Sequence, residues 1–117
     1  MSQDDRPLVY VGTYTRGAAG GGNGEGIYVF RLGTHGALEP VYVMPGVANP
    51  TFLALDPRGR YLVAANEVSE FAGQPGGGAS AFAIDGQSRA LAALNSQPVR
   101  GAGPCYVTVD PSGRWAL

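Results

Sequence analysis

Short apolar runs alternate with glycine- and proline-rich turns along the whole chain. Within the runs, large apolar residues recur at every second position, the period of a half-buried strand. Segment 49–102 holds four such runs, which predict strands over 52–55, 61–66, 79–84 and about 91–95. Turn chemistry separates them. "DPRG" at 56–59 puts proline second and glycine fourth, as a type I turn prefers, and "DGQS" follows the third run.

The pattern repeats. "NPTFLALDPRGRYL" at 49–62 aligns with "GPCYVTVDPSGRWAL" at 103–117, setting Asp56 and Asp110 54 residues apart. "GIYVFRLGTHGAL" at 26–38 matches "GASAFAIDGQSRAL" at 78–91, with Phe30 and Phe82 52 residues apart. "LVYVG" at 8–12 matches "LVAAN" at 62–66. Four antiparallel strands recurring about every 50 residues are the signature of a propeller blade. The expected fold is therefore all-β, a β-propeller. Residues 1–7 are expected to be a disordered leader, 8–48 an incomplete first blade, 49–102 a complete blade and 103–117 the start of the next. Two blades and a fraction close no ring and leave raw strand edges. The chain is thus expected to be the N-terminal piece of a longer propeller, with the innermost strand of its first blade supplied from the far C-terminus. Phe30, Phe52 and Phe82, at repeated positions, are expected in the core between blades.

Composition narrows the class. Of 117 residues, 44% are apolar and 15% charged, too apolar for a disordered chain. The 19 glycines follow no collagen period. Net charge is −1 and the eight Lys and Arg residues do not cluster, which argues against nucleic acid or a membrane surface as partner. No apolar run approaches the roughly 18 residues of a membrane span. "MSQDDRP" lacks the basic start and apolar core of a signal peptide, so a cytoplasmic protein is expected. One Cys and one His make neither a disulfide nor a zinc site, and no metal or cofactor is expected.

Strand direction sorts the loops onto two faces. One carries the short turns "DPRG", "GTHG", "DGQS" and "DPSG". The other carries the long, polar, glycine-rich segments 13–26, 44–51, 66–78 and 97–106. Long loops on a rigid scaffold are where binding and catalysis concentrate, so the second face is the candidate functional face.

"VYVGTYT", "GIYVFRL", "NPTFLALDPRGRYLVAANEVSEF", "GGGASAFAID" and "GAGPCYVTVDPSGR" together resemble the opening of the lactonase seven-bladed propeller family, bacterial 6-phosphogluconolactonases among them. "NEVSEF" and "GAGPC" are more specific than the generic "DPxGR" turn. The resemblance covers about residues 8–117. It implies a ring of seven blades, roughly 350 residues at about 50 per blade. It also implies metal-independent hydrolysis of 6-phosphoglucono-1,5-lactone to 6-phosphogluconate, in the pentose phosphate pathway. The partner is then a small phosphorylated sugar lactone, and the 117 residues alone are expected to be inactive. A related branch cyclises carboxymuconates, and a propeller can also serve as a non-catalytic scaffold. Most family residues credited with the chemistry lie in later blades. One departure stands at Tyr106, where many members carry His.

Lactone hydrolysis needs an activated water, a donor to the developing oxyanion and a cation for the phosphate. Glu67, ending the second strand of the complete blade, is the candidate catalytic carboxylate. Asn66 beside it, Arg100, Arg16, Tyr14 and Tyr106 are candidate substrate ligands on the same face. Arg suits phosphate because its guanidinium binds it bidentately. Cys105 has no His near it in the chain and is expected to be a small buried apolar residue. His35 is expected to be a turn residue on the opposite face. The run at 17–26 lacks a Gly-Lys-Ser/Thr ending and a following helix, so it is read as a flexible loop rather than a phosphate cradle.

Overall fold

The computed structural model describes residues 4–16 and 22–117. Three strands form a first antiparallel sheet: β1 (Leu8–Val11), β2 (Gly26–Leu32) and β3 (Leu38–Pro45), in that spatial order. A second sheet contains β4 (Pro50–Leu55), β5 (Tyr61–Asn66), β8 (Gly78–Ile84) and β9 (Leu91–Pro98), again as a meander. Between β5 and β8 lies a miniature hairpin, β6 (Glu70–Phe71) and β7 (Gln74–Pro75). After β9 the chain forms one isolated bridge, Val109 to Ala116, across the second "DPxG" turn.

The four strands expected over 49–102 are all present; β5 has the expected bounds and the other three are longer at one end. The repeat extends to irregularities. The β2–β3 register slips between Val29 and Phe30, and the β8–β9 register slips between Ala81 and Phe82, at corresponding repeat positions. Such bulges increase the local twist of a pair.

Side-chain alternation decides what is buried. Ile27 and Val29 on β2 face Leu62 and Ala64 on β5 and Phe82 on β8, with Val47 and Leu91 completing one cluster across both sheets. The Leu91 amide also donates to the Tyr42 hydroxyl, binding the outer strands of the two sheets together. Of the three phenylalanines expected between blades, Phe82 is in this core. Phe30 is only half-buried and stacks on Tyr28, and Phe52 lies at the surface against Tyr106.

Residues 4–7 differ from the expected disordered leader. Arg6 pairs with Asp4 and with Glu39, each at 2.8 Å, and the Leu32 amide donates to the Pro7 carbonyl at 2.8 Å. These contacts tie the segment to the edge of the first sheet. Residues 1–3 of that leader, and 17–21 of the glycine-rich run, lie outside the described residues.

Candidate active site

Three loops meet where β1, β3 and β5 end: residues 12–16, 46–49 and 67–69. Gly12 permits the approach, because a Cβ there would stand 2.0 Å from the Pro50 carbonyl oxygen. Asn49, only 2% exposed, ends the second of these loops and hydrogen-bonds to the other two. A fourth segment, 99–104, closes the side of the group. The Gly103 amide donates to the Val68 carbonyl at 3.0 Å, and the Gly77 amide to the Gly101 carbonyl at 2.8 Å. Gly77 lies so close to Pro104 that a Cβ would stand 2.1 Å from the ring.

Glu67 is half-buried at the centre. Its Oε2 accepts the Thr51 hydroxyl at 2.5 Å and the Tyr14 hydroxyl at 3.0 Å. Short hydroxyl-to-carboxylate bonds of this kind orient the carboxyl group. Among the described residues, Oε1 receives no hydrogen bond and Glu67 has no ion-pair partner. Glu67 therefore offers one oriented oxygen to a water or a sugar hydroxyl. The hydrogen bond to Glu67 raises the Tyr14 phenol above its ordinary pKa, with desolvation and the Glu67 charge adding to it. Tyr14 thus remains a protonated donor across the working range.

The structure treats the other expected ligands differently. Asn66 shares the strand face of Leu62 and Ala64 and is fully buried, with its Nδ2 donating to the Ala48 carbonyl at 2.7 Å and its Oδ1 accepting the Ser80 hydroxyl at 2.7 Å. These bonds brace the scaffold beneath the site, and Asn66 also lines a cleft next to Arg16. Arg16 is exposed, with its amide held by the Asn49 Oδ1 at 2.8 Å. It borders a cleft of about 270 Å³ lined also by Met44, Val47, Asn66, Phe71 and Ser96. Arg100 is exposed on the 99–104 segment, where no described side chain pairs with it. Tyr106 is 64% exposed, its ring packed on Phe52 at 4.7 Å between centroids. Cys105 is a correction: it is exposed rather than buried, and Val107 is the buried residue of that segment. His35 takes a left-handed conformation (φ 63°) within the short turn Thr34–Gly36, on the face opposite Glu67. Among the described residues, no three His, Cys, Asp or Glu side chains are grouped to hold a metal ion.

Sequence reasoning missed Asn49 and Thr51. Their only signal was the Asn-Pro dipeptide, a generic turn marker.

A three-stranded and a four-stranded meander packed on one another, with their long loops gathered at one end, have the architecture of neighbouring blades of a β-propeller. Within that class the chain belongs to the lactonase, 7-bladed beta-propeller family, which matches residues 8–117. It is 37% identical over 109 residues to a 6-phosphogluconolactonase of Bacillus subtilis, covering 92% of this chain and 28% of that protein. Among solved structures, a protein from Bacteroides fragilis superposes with a TM-score of 0.74 at 36% identity, over 89% of this chain and 27% of the other. A periplasmic gluconolactonase of Pseudomonas aeruginosa superposes with a TM-score of 0.75 at 29% identity, over 93% and 29%. The chain thus spans little more than a quarter of the length of the relatives it matches.

Proposed function

We propose that the protein to which this chain belongs hydrolyses 6-phosphoglucono-1,5-lactone to 6-phosphogluconate, as a cytoplasmic step of the pentose phosphate pathway. The observation that carries this reading is the Glu67 carboxylate, held through one oxygen by Thr51 and Tyr14 on the loop-rich face of a lactonase-family propeller. The name of the Bacillus subtilis relative supports the choice of lactone.

In this scheme Glu67 Oε1 accepts a proton from water as the water oxygen bonds to the lactone carbonyl carbon. The tetrahedral centre then collapses, the bond from that carbon to the ring oxygen breaks, and the ring oxygen takes up the proton that Glu67 accepted to become a hydroxyl, which restores the carboxylate. The product acid ionises to 6-phosphogluconate. Arg100, unpaired on the adjoining segment, is the candidate ligand of the phosphate, with Arg16 as a more distant one. Tyr106 and Tyr14 present hydroxyls to the sugar. The 117 residues alone lack the remaining walls of such a pocket and are expected to give no rate above spontaneous hydrolysis.

The test is a rate measurement on the full-length gene product with freshly generated lactone. Acceleration above the spontaneous rate is expected, and Glu67→Gln should lower kcat by about a hundredfold or more, as removal of a general base does. No acceleration by the wild-type protein would remove the reading. Normal kinetics in Glu67→Gln would remove Glu67 from it.

A further inference from the structure

We propose that Asn49 is the positioning residue of this site: it locks together the three segments that supply Tyr14, Thr51 and Glu67, and so fixes the Glu67 carboxylate. The inference rests on the reading of Glu67 as the base.

Asn49 bonds to each of those segments at, or next to, the functional residue. Its Oδ1 accepts the amides of Thr15 and Arg16, both at 2.8 Å, immediately after Tyr14. Its Nδ2 donates to the Glu67 carbonyl at 3.1 Å, and its own carbonyl accepts the Glu67 amide at 3.0 Å. The same carbonyl accepts the Thr51 amide at 2.8 Å, and the Asn49 amide donates to the Thr15 hydroxyl at 2.9 Å. Two N–H donors at one end of the side-chain amide and a carbonyl at the other dictate its orientation. Only a residue with an acceptor and a donor on one planar group can make this set. Aspartate would turn a second oxygen toward the Glu67 carbonyl. The backbone sits at φ 37°, in the left-handed region where asparagine is among the few non-glycine residues tolerated. Burial, backbone conformation and side-chain chemistry therefore all select asparagine. A residue needed only to fill space would require none of the last two.

Asn49→Gly in the full-length gene product isolates the effect. Glycine adopts the same φ and keeps the main-chain bonds, while the side-chain bonds vanish. The expected result is a loss in kcat of up to about a hundredfold, the scale of an ångström-sized misplacement. KM should change less than about threefold, because an interaction used mainly in the transition state is lost. The loss should disappear in the Glu67→Gln background, since two residues acting through one group are not additive. An equal loss in both backgrounds, or none in either, overturns the inference.

A second readout needs no turnover. With ¹³C-labelled tyrosine, the Tyr14 phenol should titrate above its ordinary value in the wild type and fall back toward it in Asn49→Gly, as Glu67 moves away. An unchanged Tyr14 titration overturns the inference whether or not the lactone is hydrolysed. Conversely, a wild-type protein without lactonase activity removes the proposed function while this titration still decides the role of Asn49. Should Asn49→Gly fail to fold by circular dichroism, Asn49→Asp, which keeps the acceptor and loses the donor to Glu67, is read in the same way.

Discussion

Glu67 Oε2 accepts two hydroxyl hydrogen bonds of unequal length, and the inequality is testable. The Thr51 bond, at 2.5 Å, is shorter than the Tyr14 bond at 3.0 Å. Thr51→Val should therefore slow lactone turnover by the full-length product more than Tyr14→Phe does, with about tenfold expected for the latter. The reverse order would contradict the geometry. Sequence alone could place Tyr14 and Glu67 on one face, because both follow a strand running in the same direction. It could not bring them into contact. That depends on the Gly12 approach to Pro50 and on the Asn49 bonds, which reach Thr15 across 34 positions and Glu67 across 18. The burial of Asn66 was legible in its parity with Leu62 and Ala64, which marks it as inward-facing.

Elements show the repeat at atomic detail. In both "DPxGR" turns the aspartate carboxylate receives the amides of the arginine and of the aromatic residue after it. The distances are 2.6 and 2.9 Å at Asp56, and 3.0 and 2.9 Å at Asp110. In both, the aspartate amide donates back to the aromatic residue's carbonyl at 3.0 Å. At Asp56 desolvation works to raise the pKa, but the backbone hydrogen bonds from Tyr61, Arg60 and Arg58 together outweigh it and leave the value below 3.8. At Asp110 the Ser112 hydroxyl and the Trp115 amide lower it likewise. A folded pKa below the unfolded one stabilises the protein fully above the unfolded value. That stabilisation is lost as pH falls from near 3.8 through the lower folded value. The melting temperature should accordingly hold steady above about pH 5 and drop on the acid side. Asp56→Asn, which keeps an acceptor but no charge, should make that acid drop shallower; an identical acid profile would show that the charged form has no role in the turn. These turns were legible because their residues act locally. The β6–β7 hairpin was not, because its two turn residues are Ala72 (φ 51°) and Gly73 (φ 77°). Such a turn normally announces itself with Asn-Gly or Asp-Gly, and alanine in the first place hides it.

On the scale of the molecule, the two sheets are one cooperative unit, because neither buries its apolar face alone. Ile27 and Val29 have as their partners Leu62, Ala64 and Phe82 from the other sheet. That dependence was readable as a repeat whose single copies are too thin to fold by themselves. Which of the repeated phenylalanines occupies the shared layer was not readable, since Phe30 and Phe82 hold the same repeat position but only Phe82 has a sheet packed over it here. Phe82, 3% exposed, should therefore behave as a keystone side chain. Phe82→Ala in the full-length product should cost about 3–5 kcal/mol in urea unfolding, the range for a buried aromatic truncated to a cavity. Gln87→Ala, in the exposed turn after β8, is the control, and its loss should shift stability by less than about 0.5 kcal/mol. The two sheets should also lose hydrogen-exchange protection together in Phe82→Ala, with β2 amides opening as readily as β8 amides. Protection that survives in β2 while β8 opens would mean that the blades are stable one at a time, and that the loops carrying Tyr14 and Glu67 are held by their own hydrogen bonds rather than by the core beneath them.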